Sequence, residues 1–483
     1  MADTADLLLG LDLGTRSVKA LLLAPDGAVV GEASAGYDVV SPEDGWAETD
    51  PRAWFEAVQE AAATVQAGRA GRVKAIGLSG QMHGVVLARR DLRPARPAIL
   101  WADTRAVAQL DAYRALPRAQ RDRLGNPLAV GMAGPTLLWL RDNDPHAYQE
   151  ARWALQPKDW LRLRLTGEAG SEPSDASATL LYDLEADAWA EDMVDALGLR
   201  TDLLAPLRAS AAVGGRLTPE AAAELRIAPG TPVAAGAADA AAAALGCGLL
   251  DPGPVLLTVG TGAQILAPRA SAAPDPGGRI HCFRAAAEGR WYRMAAIQNA
   301  GLALEWVRGV LGLAWADVYR EAFQVPDAAG VVFHPYLSGE RTPYFDPRLR
   351  GGWNGLRVTH ARGHLLRAAL EGVAFALRQA LEALDATGVP APFLLLAGGG
   401  TLDPRWRQLL ADVLDRPLHS TSVPSASARG AAMLAGLATG VFSTERIATP
   451  APVSQVTLPS VPGRYDAVYA VYVRQAAALC ATE

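Results

Sequence analysis

Two carboxylates in this chain sit among residues that cannot neutralise them. Asp12 lies within Leu7-Leu8-Leu9-Gly10-Leu11-Asp12-Leu13-Gly14-Thr15, and Asp239 lies within the alanine-rich run from Val233 to Gly246. Burying a charge is costly unless a counter-charge or proton offsets it. For Asp12 the Gly14-Thr15 bend suggests the partner. A glycine bend after a strand presents backbone N–H groups and a hydroxyl to phosphate oxygens, and a divalent cation between phosphate and carboxylate relieves both. Asp12 reads as a Mg²⁺ tether, against the competing reading of a hairpin acid facing solvent. Asp239 has only small neighbours. That space suits a general base, because a hydroxyl must come within hydrogen-bond reach with a phosphoryl group in line behind it. The competing reading is an N-cap for the alanine helix.

Two further glycine turns follow apolar runs: Gly260-Thr261-Gly262 after Val255 to Val259, and Gly398-Gly399-Gly400 after Phe393 to Ala397. Each alone is an ordinary turn. Together with Gly14-Thr15 they would hold a nucleotide between two halves of the molecule. No P-loop, protein-kinase or dinucleotide signature stands where it should, so the phosphate site is of another kind. Gly80-Gln81-Met82-His83-Gly84 places a polar pair between glycines, which suits a polyol contact or a structural histidine. Trp101-Ala102-Asp103-Thr104-Arg105 reads as an Asp-Arg pair on a cleft wall or as a surface turn. The Glu340-Arg341 pair in Leu337 to Pro343 reads as a turn of either kind.

These groups need a scaffold. The opening segment lacks helical period and reads as a three-stranded meander, with Pro25-Asp26-Gly27 as a hairpin turn. Asp50 and Pro51 then start a helix that repeats Trp54, Ala57, Val58, Ala61, Ala62 and Val65. A comparable series follows the second turn. Val255–Leu257, Gln264–Ala267, Arg279–Arg284 and Trp291–Ala295 read as strands, closed by a helix near Leu302–Val310. A long amphipathic helix spans about Arg362 to Leu384 and ends near Gly388 and Pro390. Phe393–Ala397 reads as a buried strand, and Asp403-Pro404 starts a helix that buries Trp406, Leu409, Leu410, Val413 and Leu414. Expected domains are 1–247 and 248–483, with the boundary near Gly246 to Gly253.

At 483 residues, 50% hydrophobic, the chain can bury more than one core. A net charge of -6 and a pI near 5.8, without a long basic run, argue against nucleic acid or an anionic membrane as partner. Cys247, Cys282 and Cys480 have neither disulfide nor zinc spacing, as expected of a reducing compartment. The acidic Met1-Ala2-Asp3-Thr4-Ala5-Asp6 start and the lack of a spanning apolar run predict no signal peptide or membrane helix, hence a cytoplasmic protein.

In this order, these motifs resemble the sugar-kinase family that includes xylulokinase, glycerol kinase and ribulokinase. The likeness runs through Asp12-Leu13-Gly14-Thr15, Gly80 to Gly84, Pro157-Lys158-Asp159, Ser174-Asp175, Asp239, Gly260-Thr261-Gly262, Pro335 to Pro343 and Gly398-Gly399-Gly400. The Gln81-Met82-His83-Gly84 loop looks most like that of xylulokinases. The resemblance implies an α/β fold of two ribonuclease-H-like domains, of the actin and hexokinase type, around an ATP cleft. It implies that Asp12 organises Mg²⁺, that Gly14, Thr15, Gly260, Thr261 and Gly262 approach the phosphates, and that Gly398, Gly399 and Gly400 lie beside the adenosine. Met82, His83, Trp101, Asp103 and Asp239 would meet the sugar, with Asp239 as base. The implied reaction is ATP-dependent phosphorylation of a pentulose, D-xylulose foremost. The alternatives are another ketose or polyol kinase (ribulose, glycerol) and a non-enzymatic ATP clamp. The expected partner is a small sugar, with a homodimer left open. Two departures bear on the sugar: Ala102 and Ala240 stand where the family often has Asn.

Overall fold

The computed structural model describes residues 6–69, 71–386, 388, 391–423, 425–447 and 451–481. Met1 to Ala5 and Pro390, part of the expectations above, lie outside the described residues. The expected meander is present as β1 (Leu7–Leu13), β2 (Ser17–Leu23) and β3 (Val29–Gly36), antiparallel throughout. Every residue of β1 is buried, as befits a strand covered on both faces. On its other side β4 (Val73–Gly80) runs parallel to it. The short strands β5 (Val213–Arg216), β6 (Pro232–Ala234) and β7 (Ala237–Ala238) complete the sheet. Its order is β5-β6-β4-β1-β2-β3, with β7 also beside β4. Helix α1 (Pro51–Val65) packs on β2 and β3 and buries Trp54, Phe55, Val58 and Val65. Its start is set as the sequence indicates: Asp50 accepts the Arg52 N–H, and proline occupies the first turn.

The second half repeats the plan. Strands β8 (Val255–Val259), β9 (Ala263–Arg269), β10 (His281–Arg284) and β11 (Trp291–Ile297) come first, and β12 (Leu394–Ala397) then joins β8 in parallel. With β13 (Leu418–Thr421) and β14 (Val453–Thr457) the order is β10-β11-β9-β8-β12-β13-β14. The four expected strands are all present, but they do not pair in sequence order. β11 pairs directly with β9, leaving β10 on the edge.

Helices α2 (Asp239–Gly246), α3 (Gly301–Val310), α4 (Arg362–Asp385), α5 (Pro404–Leu414) and α6 (Ala426–Ala438) surround these sheets. Asp403 caps α5 through the Arg405 and Trp406 N–H groups. Helix α6 falls within the expected 248–483 half, yet it packs on the first half's sheet and on α2. Glycine permits this contact. A Cβ on Gly10 would stand 1.9 Å from the Ala428 carbonyl oxygen, one on Gly77 1.7 Å from that of Ala431, and one on Gly430 1.9 Å from that of Ala242. The alanine-rich sequences of α2 and α6 therefore serve backbone approach as well as helix propensity. Among the described residues, no helix is long and apolar enough to cross a membrane.

Candidate active site

Parallel neighbours release the chain at the same sheet edge, where ligand-binding loops of α/β sheets gather. In the first half β1 leads into the Gly14-Thr15 bend, and β4 leads into Gly80 to Gly84. The two loops are tied together. The Gln81 N–H donates to the Leu13 carbonyl at 2.9 Å, and Gln81 Nε2 donates to the Gly14 carbonyl at 3.1 Å. In the second half β8 leads into Gly260-Thr261-Gly262, and β12 leads into Gly398-Gly399-Gly400. These loops touch as well: a Cβ on Gly398 would lie 2.8 Å from the Val259 oxygen, and one on Gly400 2.7 Å from it. The expected glycine turn is a positive φ of 95° at Gly398 followed by a 3-10 turn, Gly399–Thr401.

A cavity of about 560 Å³ joins the halves, with Asp12 and Lys19 on one wall and Thr258, Gly398 and Thr401 on the other. Asp12 and the third glycine turn thus share one space. Thr261 is exposed and does not line it. The Thr261 carbonyl accepts the Leu302 N–H at 2.8 Å, and that of Gly260 accepts the Gly301 N–H at 3.0 Å, so the second turn caps α3.

Asp12 is buried, which removes the solvent-hairpin reading. Register puts Lys19 opposite it on β2 and Ser79 opposite it on β4. The Ser79 hydroxyl donates to Oδ1. Burial still pushes the carboxyl above its usual range, despite Ser79 and the Lys19 charge. Among the described residues no cluster of three or more metal-ligating side chains exists. A single buried carboxylate lining a cavity of this volume fits Mg²⁺, which keeps waters and uses one or two carboxylates plus phosphates.

Asp239 is the first residue of α2. The cap position belongs to Ala238, so the N-cap reading is replaced. Among the described residues, its side chain accepts one hydrogen bond, from the Ala240 N–H to Oδ1 at 2.6 Å. Burial, then the Asp12 charge, pushes its pKa up to about 7. A chain of contacts braces it from behind. The Ala238 N–H donates to Ser174 Oγ at 2.9 Å, and Ser174 Oγ donates to Glu172 at 2.8 Å. Glu172 meets Lys158 Nζ at 3.1 Å, and Lys158 also pairs with Asp159 at 2.8 Å and Asp175 at 2.9 Å. Arg162 joins at Asp159, 3.1 Å away, and all five charged side chains are fully buried. Burial pushes Asp175 well above the carboxylate range, while Lys158, Ser210 and Ser174 outweigh burial and hold Glu172 below it. Pro157-Lys158-Asp159 and Ser174-Asp175 are thus the support beneath Asp239.

At the sugar end expected from the sequence, Met82 and His83 are buried. His83 has φ 71°, and its Nδ1 lies 2.8 Å from the Ala178 oxygen. A carbonyl only accepts, so Nδ1 carries the proton and Nε2 is an open acceptor. Burial and the Arg341 charge take this imidazole down to about 3, so it is neutral. Trp101 Nε1 donates to Thr15 Oγ1 at 3.0 Å. Asp103 does form the Asp-Arg pair, buried rather than on the surface: Arg105 binds it at 2.9 and 2.7 Å, and the Ala47 N–H adds a bond of 2.6 Å. Both carboxylate oxygens are occupied by protein donors, so Asp103 shapes the wall of a second cleft, of about 450 Å³, shared with Gln298, Glu340 and Arg341. The Glu340-Arg341 turn divides its side chains. Glu340 accepts the Gln298 and Arg341 N–H groups, whereas Arg341 reaches across to the Trp101 carbonyl at 3.3 Å and stacks over that indole at 5.0 Å. Sequence reasoning passed over Ser79, Lys19, Tyr292 and His281. For Lys19 the hairpin register carried a signal; the others depend on long-range pairing.

Comparison with known proteins identifies the family. A xylulose kinase of Klebsiella pneumoniae is 36% identical over 436 residues, covering 89% of this chain and 90% of that protein. The crystal structure of a "xyloylose kinase" from Brucella ovis superposes with a TM-score of 0.90 at 36% identity, over 99% of this chain and 100% of that one. A gluconate kinase of Lactobacillus acidophilus reaches a TM-score of 0.91 at 26% identity, over 98% of each chain. The family's N-terminal domain matches residues 7–246 and its C-terminal domain residues 255–439, and on that coverage the chain belongs to the FGGY family of carbohydrate kinases.

Proposed function

We propose that this kinase transfers the γ-phosphate of ATP to the terminal hydroxyl of D-xylulose, giving D-xylulose 5-phosphate and ADP. The carrying observation is the pair of carboxylates at the junction of the halves, buried Asp12 and half-buried Asp239, close enough that one raises the pKa of the other. Their environments assign them different work. Asp12, beside Ser79 and on the wall of the 560 Å³ cavity, would hold Mg²⁺; when bound, this cation neutralises charge between the carboxylate and the triphosphate. Asp239, with its second oxygen open, takes the proton as the sugar oxygen bonds to the γ-phosphorus and the bond to the β-γ bridging oxygen breaks. The Gly14-Thr15 turn would receive the phosphates, with Gly398, Gly399 and Gly400 beside the adenosine; Gly260, Thr261 and Gly262, outside the cavity in this structure, would reach the phosphates only on closure. Met82 and His83 would line the sugar, and Trp101 would set the position of Thr15.

Fold alone does not choose the sugar, since a gluconate kinase superposes as well as a xylulose kinase. The choice of D-xylulose rests on relatives at 36% identity named xylulose kinase and on the Gln81-Met82-His83 loop. The same reading would put the enzyme in the cytoplasm, in keeping with the buried thiols Cys247 and Cys282. The test is ADP release from ATP with D-xylulose, D-ribulose, gluconate and glycerol, by the native protein and by Asp239→Asn. D-xylulose should give the highest kcat/KM. The substitution should cut turnover by about 10²- to 10⁴-fold, the usual contribution of a positioned base. A higher kcat/KM with another acceptor overturns the substrate, and undiminished turnover in the variant overturns the base.

A further inference from the structure

Among the described residues, two aromatic side chains of β10 and β11 end in a buried polar atom without a hydrogen-bond partner, His281 Nε2 and the Tyr292 hydroxyl. Their rings form part of one ladder. Phe283 pairs across the strands with Tyr292, ring centres 5.7 Å apart, and His281 stacks on Phe283 at 5.0 Å. The Tyr292 end faces the reaction: burial, then the Asp239 charge, pushes its phenol up. The His281 end faces the sugar loop, with the His83 ring 6.5 Å away.

The protonation of His281 follows from its neighbours. Asn126 Oδ1 accepts the Cys282 N–H at 3.0 Å, while Asn126 Nδ2 donates to the Cys282 carbonyl at 2.9 Å, so the amide can be turned only one way. His281 Nδ1 lies 3.3 Å from that same Oδ1 and must therefore donate. Nε2 is left as a buried lone pair. His83, from the other half, presents a second lone pair by the same logic. Two acceptors, one from each half and with ring centres 6.5 Å apart, with the Arg341 guanidinium acting on both, suit a molecule rich in hydroxyl donors.

We propose that His281 Nε2 accepts a hydrogen bond from the sugar hydroxyl farthest from the one phosphorylated, making His281 a specificity-determining residue supplied by the C-terminal half. The assignment rests on Asp239 receiving the acceptor hydroxyl. For D-xylulose phosphorylated at carbon 5, the hydroxyl read by His281 is the one on carbon 1. Recognition is then shared by both halves, in which the neighbouring His83 and His281 rings each offer the sugar one acceptor.

The test compares D-xylulose with 1-deoxy-D-xylulose on the native enzyme, His281→Phe and His281→Gln. The native kcat/KM should favour D-xylulose by about tenfold, the scale of one hydrogen bond whose loss strands a buried acceptor. Phenylalanine should bring that ratio to about one, and glutamine, with an amide oxygen, should keep part of it. The ratio within one variant is independent of the fraction folded. If the phenylalanine variant lacks turnover, the same ratio is read from dissociation constants by calorimetry. A native ratio near one, or an unchanged ratio in His281→Phe, overturns the proposal. Failure of the kinase reading appears separately, as native enzyme that D-xylulose does not stimulate.

Discussion

Asp239 carries two demands that pull against each other. A base must be ionised when the sugar arrives, yet burial and Asp12 favour its protonated form, with a pKa of about 7 instead of the usual 3.8. The kcat/KM for sugar should therefore rise about tenfold per pH unit below neutrality and level off above it. His83, held near 3, stays neutral through this range and cannot be the source of the limb. Glu340 also titrates at about 7, pushed up by burial against the N–H groups of Gln298 and Arg341. The limb should survive in Glu340→Gln if Asp239 is responsible, and its loss there would reassign it. The stability sign is opposite. A carboxyl raised in the folded state contributes most below its unfolded value near 3.8, and that contribution is lost as pH rises through about 7. Asp239→Asn should then melt higher than the native protein at pH 8 while turning over far more slowly, measured by scanning calorimetry beside the assay.

Elements succeed or fail here by how closely backbones approach. Helix α6 rests on β1, β4 and α2 through Gly10, Gly77 and Gly430, where a Cβ would enter a carbonyl oxygen. Gly430→Ala should destabilise by at least the roughly 1–3 kcal/mol of an overpacked core. Gly309 in α3 meets nothing within 4 Å, so Gly309→Ala should stabilise by about 0.5–1 kcal/mol through helix propensity. Chemical denaturation of the two variants gives both signs, and equal signs would refute the packing argument. The same contrast marks what the sequence could show. β1, β2, β8 and β9 were legible as apolar runs around glycine turns, α1 and α5 through their Asp-Pro starts, and α4 through its period. β14 was not legible, because Val453–Thr457 is largely exposed and has no apolar face to betray it. The destination of α6 was hidden too: alanine and glycine announce a helix but not which surface it meets. In the site, Asp12, Asp239 and His83 stood out by type and setting. Ser79 reaches Asp12 across 67 residues, and Arg341 reaches Trp101 across 240; no local pattern encodes such pairings.

Among the described residues, three contacts between the halves bear on closure, each differently. Helices α2 and α6 form a dry junction of small side chains, close to Asp239. The edge strand β10 is pinned through Asn126 to Cys282 and through Ser177 Oγ, which accepts the Arg284 N–H at 3.0 Å. Arg341 alone among these spans the cleft mouth, holding Trp101 by its carbonyl and its ring. Trp101 in turn donates to Thr15, so Arg341 links the second half to the first phosphate turn. A kinase must keep water from taking the phosphoryl group that its base and cation prepare for the sugar, and closure does this by exclusion. Arg341→Ala removes the clasp but leaves Asp12 and Asp239 in place. It should raise the KM for sugar and also raise the ADP formed per sugar phosphate above one, as water competes for the γ-phosphate. Arg341→Lys keeps the charge and loses the planar stacking and fork, and should fall between the two. Coupled assays of ADP and sugar phosphate in one reaction measure the ratio. A ratio of one in Arg341→Ala would mean that the small-residue junction and the β10 contacts close the cleft without the clasp.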